Sequence, residues 1–190
     1  MSPSSQVDAD AVIIAATQRW IERAVIGLNL CPFARAPFVQ QRIRLHVSQA
    51  RSTDALVIDL AQELQTLQST DAQICETTLL IHPFVLTDFF DYNDFLDVAD
   101  RILRSLKLQG HTQIASFHPD YRFADAAADA VENCSNRSPY PILHLLREAS
   151  VTHATESTAD TDSIYRRNIE TLRTLGVEGW SALWRDDEQR

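Results

Sequence analysis

Glycine is scarce in this 190-residue chain, at only 4 positions, which excludes long flexible linkers. Cysteine is as sparse. Cys31, Cys75 and Cys134 are odd in number, widely spaced and include no CxxC pair. Such usage argues against a disulfide framework and for a reducing, cytoplasmic setting. Long apolar runs are missing too. The longest near the start, AVIIAA, is too short for the apolar region of a signal peptide and far too short to span a bilayer. Positive charge is in deficit: 17 Lys and Arg stand against 26 Asp and Glu, a formal net charge of −9. So acidic a surface repels phosphate backbones, so neither nucleic acid nor membrane is expected as a partner. An anionic small molecule is the partner expected, and it needs a local basic pocket.

What is present reads as a soluble globular chain. The apolar fraction of 45% is ordinary, and the length suits one domain over 1–190, with MSPSSQV (1–7) as a loose tail. Ile13, Ala16, Trp20, Ala24 and Leu28 fall at helical spacing and predict a helix over 8–28, which Pro32 breaks at NLCPF. RIRLHVS (42–48) alternates as a half-buried strand does. A helix from Ser52 or Thr53 to about Gln68 follows, with Leu56, Leu60, Leu64 and Leu67 inward. TTLLIHPF (77–84) reads as a more buried strand and TQIASFHP (112–119) as another. The helix between them takes Asn93 as its N-cap and Gly110 as its close.

CSNRSPYPILHLLREAS (134–150) predicts a turn and then a helix, with Pro141 in its first turn. At helical spacing His144, Arg147 and Glu148 share one face of it. THATESTADTD is polar and expected to be exposed, and a last helix over 162–175 ends at Gly176. Strands separated by helices define an α/β fold. Its sheet is small, parallel or mixed, three-stranded or slightly larger, covered by helices, with 77–83 and 112–118 adjacent. An α+β sandwich is the alternative.

Two strands end in the same dipeptide, His82-Pro83 and His118-Pro119. Proline has no N–H to give the ladder, so each imidazole takes its strand's last position. In parallel neighbours both would lie at the carboxyl edge of the sheet, where open α/β sheets take their ligands. There they could act as acid and base, or simply cap their strands through backbone hydrogen bonds. A metal would need a third donor, from Asp120 or Cys31, but no compact ligand spacing points to one, and none names a cofactor. Cys31 lies beside a proline at a helix carboxyl end, which raises a thiol pKa unless Arg35 or a histidine compensates. It is expected as a pocket residue, with a reactive thiol and a buried small hydrophobe as the two readings of it. Asn136, Arg137 and Ser138 precede the expected helix start, a natural anion site. Tyr121 and Arg122 add polar groups at the HPDYRF strand exit.

NLCPF, IASFHPDYRF, NRSPYPILHLLREAS and RNIETLRTLG together resemble a bacterial family known as domain of unknown function 1415. The resemblance spans nearly the whole chain. It implies a single-domain bacterial protein and assigns no catalytic residue. In that family a glycine often follows the Phe-Ala after the HPxY motif; here Asp125 stands in its place.

Two functional readings follow. In one, the protein is a small-molecule enzyme acting by hydrolysis or group transfer on an anionic metabolite. His118, His82, His144 and Glu148 are then its catalytic groups. Arg137, Arg147, Asn136, Ser138, Tyr121 and Cys31 line its substrate pocket. In the other, a non-catalytic binding or scaffold protein uses the same residues as a structural network. Convergence of these groups on a cleft favours the first, and side chains filling that space favour the second.

Overall fold

The computed structural model describes residues 3–156 and 161–185, with side chains over 6–152 and 163–185. Helix α1 (Pro3–Trp20) runs into a π-helical segment, Ile21–Ile26, where the Gly27 N–H reaches back to the Glu22 carbonyl. Pro3–Val7 are thus helical and not a loose tail; residues 1–2 lie outside the described residues. Of the expected helical stripe Ile13, Trp20 and Ala24 are buried, Ala16 and Leu28 are half-buried, and Ile21 joins the buried set. A short α2 (Arg35–Val39) leads into β1 (Ile43–Val47). Then come α3 (Thr53–Ser69), β2 (Thr77–Ile81), α4 (Phe89–Ser105) and β3 (Thr112–Phe117). A 3-10 turn (Val131–Ser135) precedes β4 (Ile142–Arg147), and α5 (Glu148–Glu156) and α6 (Thr161–Ala182) complete the chain.

The caps explain two boundaries. Ser52 accepts the Ala55 N–H and starts α3, as its position before an apolar-periodic run predicts. Helix α4 starts earlier than expected. Asp88 accepts from the Phe90 and Asp91 N–H groups, so it, and not Asn93, is the N-cap. The helix also closes before Gly110: Lys107 takes the left-handed conformation, with φ 57°, and Gly110 turns the chain further on. Gly176 interrupts α6 with non-helical dihedrals, φ 67° and ψ 174°, so the helical stretch from Thr161 ends there as expected. That conformation suits glycine, and helix resumes through Ala182. The exposure expected of THATESTADTD falls mostly outside the described side chains.

One four-stranded mixed sheet has the order β1-β2-β4-β3. β1 and β2 are parallel, and β4 runs antiparallel to both of its neighbours. The expected adjacency of 77–83 and 112–118 is therefore corrected: they share a sheet, but β4 lies between them. The expected helix at 141–150 is corrected as well. ILHLLR is a central strand, with Ile142, Leu143 and Leu145 fully buried. Periodicity cannot separate a short apolar run of this kind from a buried helical turn, whereas a slot between two strands can. Every backbone N–H and C=O of β2 and β3 facing that slot needs a partner, and a strand supplies them all.

Strand geometry also overturns the shared face of His144, Arg147 and Glu148. Residues three apart on a strand point to opposite sides. Leu143, Leu145 and Arg147 face α3 and α4. Their apolar members join a core with Leu56, Leu60, Leu64, Leu80, Tyr92 and Phe95. Ile142 and His144 face α1, where Leu79, Ile81, Ile13 and Trp20 make the second core. Glu148 opens α5, its N–H donating to the His111 carbonyl.

Arg147 makes no ion pair with Glu148 among the described residues. Its guanidinium instead donates to Leu67 O and Thr70 O, both at 2.6 Å, and to Cys75 O at 3.1 Å. These carbonyls close α3 and the turn after it, and a cation there also complements the helix dipole. Replacing Arg147 with Ala should lower unfolding free energy by about 1.5–3 kcal/mol, the range for charge-assisted hydrogen bonds. Urea denaturation at neutral pH checks this. Lys at the position should recover only part of the loss, and wild-type stability for Arg147→Ala would show the cap to be dispensable.

Candidate functional site

β1, β2 and β3 run the same way, so His82 and His118 emerge at one sheet edge, just beyond Ile81 and Phe117. Both are fully buried. Their rings flank Tyr92 of α4, with centroids 5.7 Å (His82) and 5.1 Å (His118) from it. The Tyr92 hydroxyl donates to Ile142 O at 2.8 Å and accepts the Phe117 N–H at 3.1 Å, tying α4 to β3 and β4.

The hydrogen bonds define the tautomers. His82 Nδ1 lies 3.0 Å from Val85 O, which can only accept, so Nδ1 carries the proton; Nε2 has no protein partner among the described residues. The Asp120 N–H donates to His118 Nδ1 at 3.0 Å, so His118 holds its proton on Nε2, toward Leu86 O at 3.3 Å. The two imidazoles pin the loop after β2 and the turn after β3. Burial pushes the His82 pKa down to about 4 and also lowers that of His118. Among the described residues no three His, Cys, Asp or Glu side chains gather as metal ligands, so neither Asp120 nor Cys31 completes a set with the two rings.

His144 lies on the other face of the sheet. Thr77 Oγ1 donates to Leu145 O at 2.6 Å, which leaves it to accept from His144 Nε2 at 2.7 Å. Phe117 walls the same ring at 6.0 Å, and loss of hydration pushes its pKa to about 4. Cys31 sits in the turn after the π-helical segment, and burial raises its pKa, the direction that blunts a thiol.

The NRSP stretch does meet the HPDYR turn. The His118 N–H donates to Asn136 O at 3.1 Å, and Asn136 Nδ2 donates to Ser116 O at 3.1 Å. Arg137 lies over the following loop, donating from Nη2 to Ala128 O at 2.8 Å and from Nε to Tyr121 O at 3.4 Å. Asn133 holds that loop from beneath, through Ala127 O at 2.8 Å and the Phe123 N–H at 3.0 Å. Tyr121 itself packs edge-on to Phe89 at 5.3 Å and Phe123 at 5.1 Å. Ser138 Oγ donates to Tyr140 O at 2.6 Å.

On the α1 side of this edge a groove of about 430 Å³ opens, lined by Arg19, Trp20, Arg137, Ser138, Trp180 and Trp184, with Ala16, Pro119 and Pro139. Arg137 and Ser138 are thus the two residues expected of a pocket that line this one. Arg19 and the three indoles escaped notice as site residues. Trp180 and Trp184, four apart in GWSALW, carried the only signal, because that spacing puts both on one helical face.

A four-stranded mixed sheet with helices on both faces defines an α/β or α+β protein, and an indole-lined groove opens at its strand ends. The chain belongs to the family described as "Protein of unknown function (DUF1415)", which it matches over residues 12–182. No curated protein and no solved structure matches it. No helix among the described residues is long and apolar enough to cross a membrane.

The imidazoles with lowered pKa set a pH dependence. In the unfolded chain His82 and His144 protonate near their ordinary value of 6.5, but in the folded protein only near 4. The unfolded state therefore binds more protons between those values, so stability is full above 6.5 and declines as pH falls toward 4. The slope is about 1.4 kcal/mol per pH unit for each histidine. Urea titrations from pH 7.5 to 5 should show the decline, and His144→Leu should flatten it by about a third to a half, since His82 and His118 remain. A flat wild-type profile would contradict the neutral rings.

Proposed function

We propose that this protein binds a small organic anion in the groove at the carboxyl edge of its sheet, and that the imidazole pair beneath that edge is scaffold. The observation that carries this reading is Arg137. Its side-on edge is held by Tyr121 O and Ala128 O, which orients the guanidinium where it lines the groove. No acidic side chain pairs with it among the described residues. A cation held by carbonyls beside a cavity is a ready receptor for a carboxylate or phosphate. In a chain of net charge −9, a local cationic site is also what anion binding requires.

Acid–base catalysis by His82 or His118 would need contact with a substrate, and full burial denies it. His144 is bonded to Thr77, and Glu148 opens a helix at the opposite end of β4. Of the two readings the sequence supports, binding is the better supported.

Calorimetric titration with a panel of organic carboxylates and phosphate monoesters tests the proposal. At least one should bind wild type, and Arg137→Ala should weaken it by about 1.5–3 kcal/mol, roughly ten- to hundredfold in Kd. Arg122→Ala serves as control, since Arg122 stacks on Phe90 and does not line the groove. Thermal melts of both variants separate lost binding from lost folding. Equal losses from the two variants, or binding indifferent to Arg137, would overturn the assignment.

A further inference from the structure

The groove has two chemically distinct parts. One is polar and carries the Arg137 cation beside Ser138; the other is a wall of indoles, from Trp20, Trp180 and Trp184. All three of the protein's tryptophans line this one cavity. Trp20 is buried, edge-on to Phe117 at a centroid distance of 5.2 Å. Trp180 and Trp184 stand T-shaped to each other at 5.7 Å and 76° and are only half-buried, so their rings are partly open. Beyond the interruption at Gly176, Trp180 in the last turns of α6 and Trp184 in the turn after it pack against the α1 layer.

We infer that the ligand is a planar aromatic monocarboxylate; this rests on the anion-binding reading above and specifies its ligand. Rigid indoles recognise flat π-faces and edges through stacked or T-shaped contacts that a saturated ring cannot reproduce. A guanidinium with its side-on edge already engaged presents its end-on pair of N–H groups, which matches the two oxygens of one carboxylate. A volume of about 430 Å³ holds a one- or two-ring acid and leaves unfilled space around an inorganic anion. Charge points the same way. Each additional negative charge on a ligand meets the repulsion of a chain at −9, whereas an aromatic body adds affinity without adding charge.

The test uses four probes on the full chain by isothermal titration calorimetry: 2-naphthoate, its neutral amide 2-naphthamide, cyclohexanecarboxylate and inorganic phosphate. The expected result is that 2-naphthoate binds at least about tenfold more tightly than each of the other three. Trp184→Leu, a change at a half-buried position, should weaken 2-naphthoate by about fivefold or more and leave cyclohexanecarboxylate within about twofold. Arg137→Ala should bring 2-naphthoate down to the affinity of the amide. If phosphate or cyclohexanecarboxylate binds as tightly as 2-naphthoate and depends on Arg137, the aromatic assignment falls while anion binding stands. If the amide equals the acid, the groove is an aromatic site and the anion reading falls too. If none of the four binds, the aromatic assignment is overturned, and the broader panel of carboxylates and phosphate monoesters decides anion binding separately.

Discussion

The antiparallel insertion of β4 between β2 and β3 is the constraint on which the rest of this structure depends. Both edges of β4 are paired along its length, Ile142 with Ile81 and Phe117 at one end, Arg147 with Thr112 at the other. A strand so placed cannot slip by one residue without exchanging its two faces, which would drive His144 into the α3–α4 core and Leu143 and Leu145 out of it. The register therefore sets where every polar group of the segment goes. It points Arg147 at the end of α3, seats the Ile142 carbonyl on the Tyr92 hydroxyl, and holds residues 136–141 at the carboxyl edge.

That edge shows how buried polar groups are reconciled with a dry interior. His82, His118 and Tyr92 are all fully buried; the two imidazoles bond to backbone groups of the loops they support, and Tyr92 to backbone groups of β3 and β4. A buried polar side chain is costly unless it is paired, and these pairings give the loops after β2 and β3 a single arrangement. The repeated His-Pro thus has a mechanical meaning: proline stops the ladder, and the imidazole before it fastens the departing chain. Next to this layer, the groove brings Arg137 and Ser138 together with the half-buried indoles Trp180 and Trp184.

The same edge separates two roles that look alike in sequence. Arg137 and Arg147 are ten residues apart and both donate to carbonyls. Arg147 meets three carbonyl groups, of Leu67 and Thr70 at the end of α3 and of Cys75 beyond it. Arg137 meets two on one edge of its fork, beside an open cavity. Chemistry available to a ligand depends on which donors the fold leaves unused, and that is a property of the surroundings of each guanidinium.

By itself the sequence determined the strands at 43–47, 77–81 and 112–117, the Ser52-capped helix after the first of them and the common edge of the two histidines, and it singled out Arg137 and Ser138, which line the groove. In each case the signal is local: alternation, a cap beside a periodic run, a proline that ends a ladder, a cation in a turn. Only the tertiary structure decided that ILHLLR is a strand. A six-residue apolar run has no period of its own, and its state follows from two neighbouring strands needing hydrogen-bond partners. The same is true of the groove. Arg19 and Trp20 lie some 160 positions from Trp180 and Trp184, and no local pattern can announce that they line one cavity.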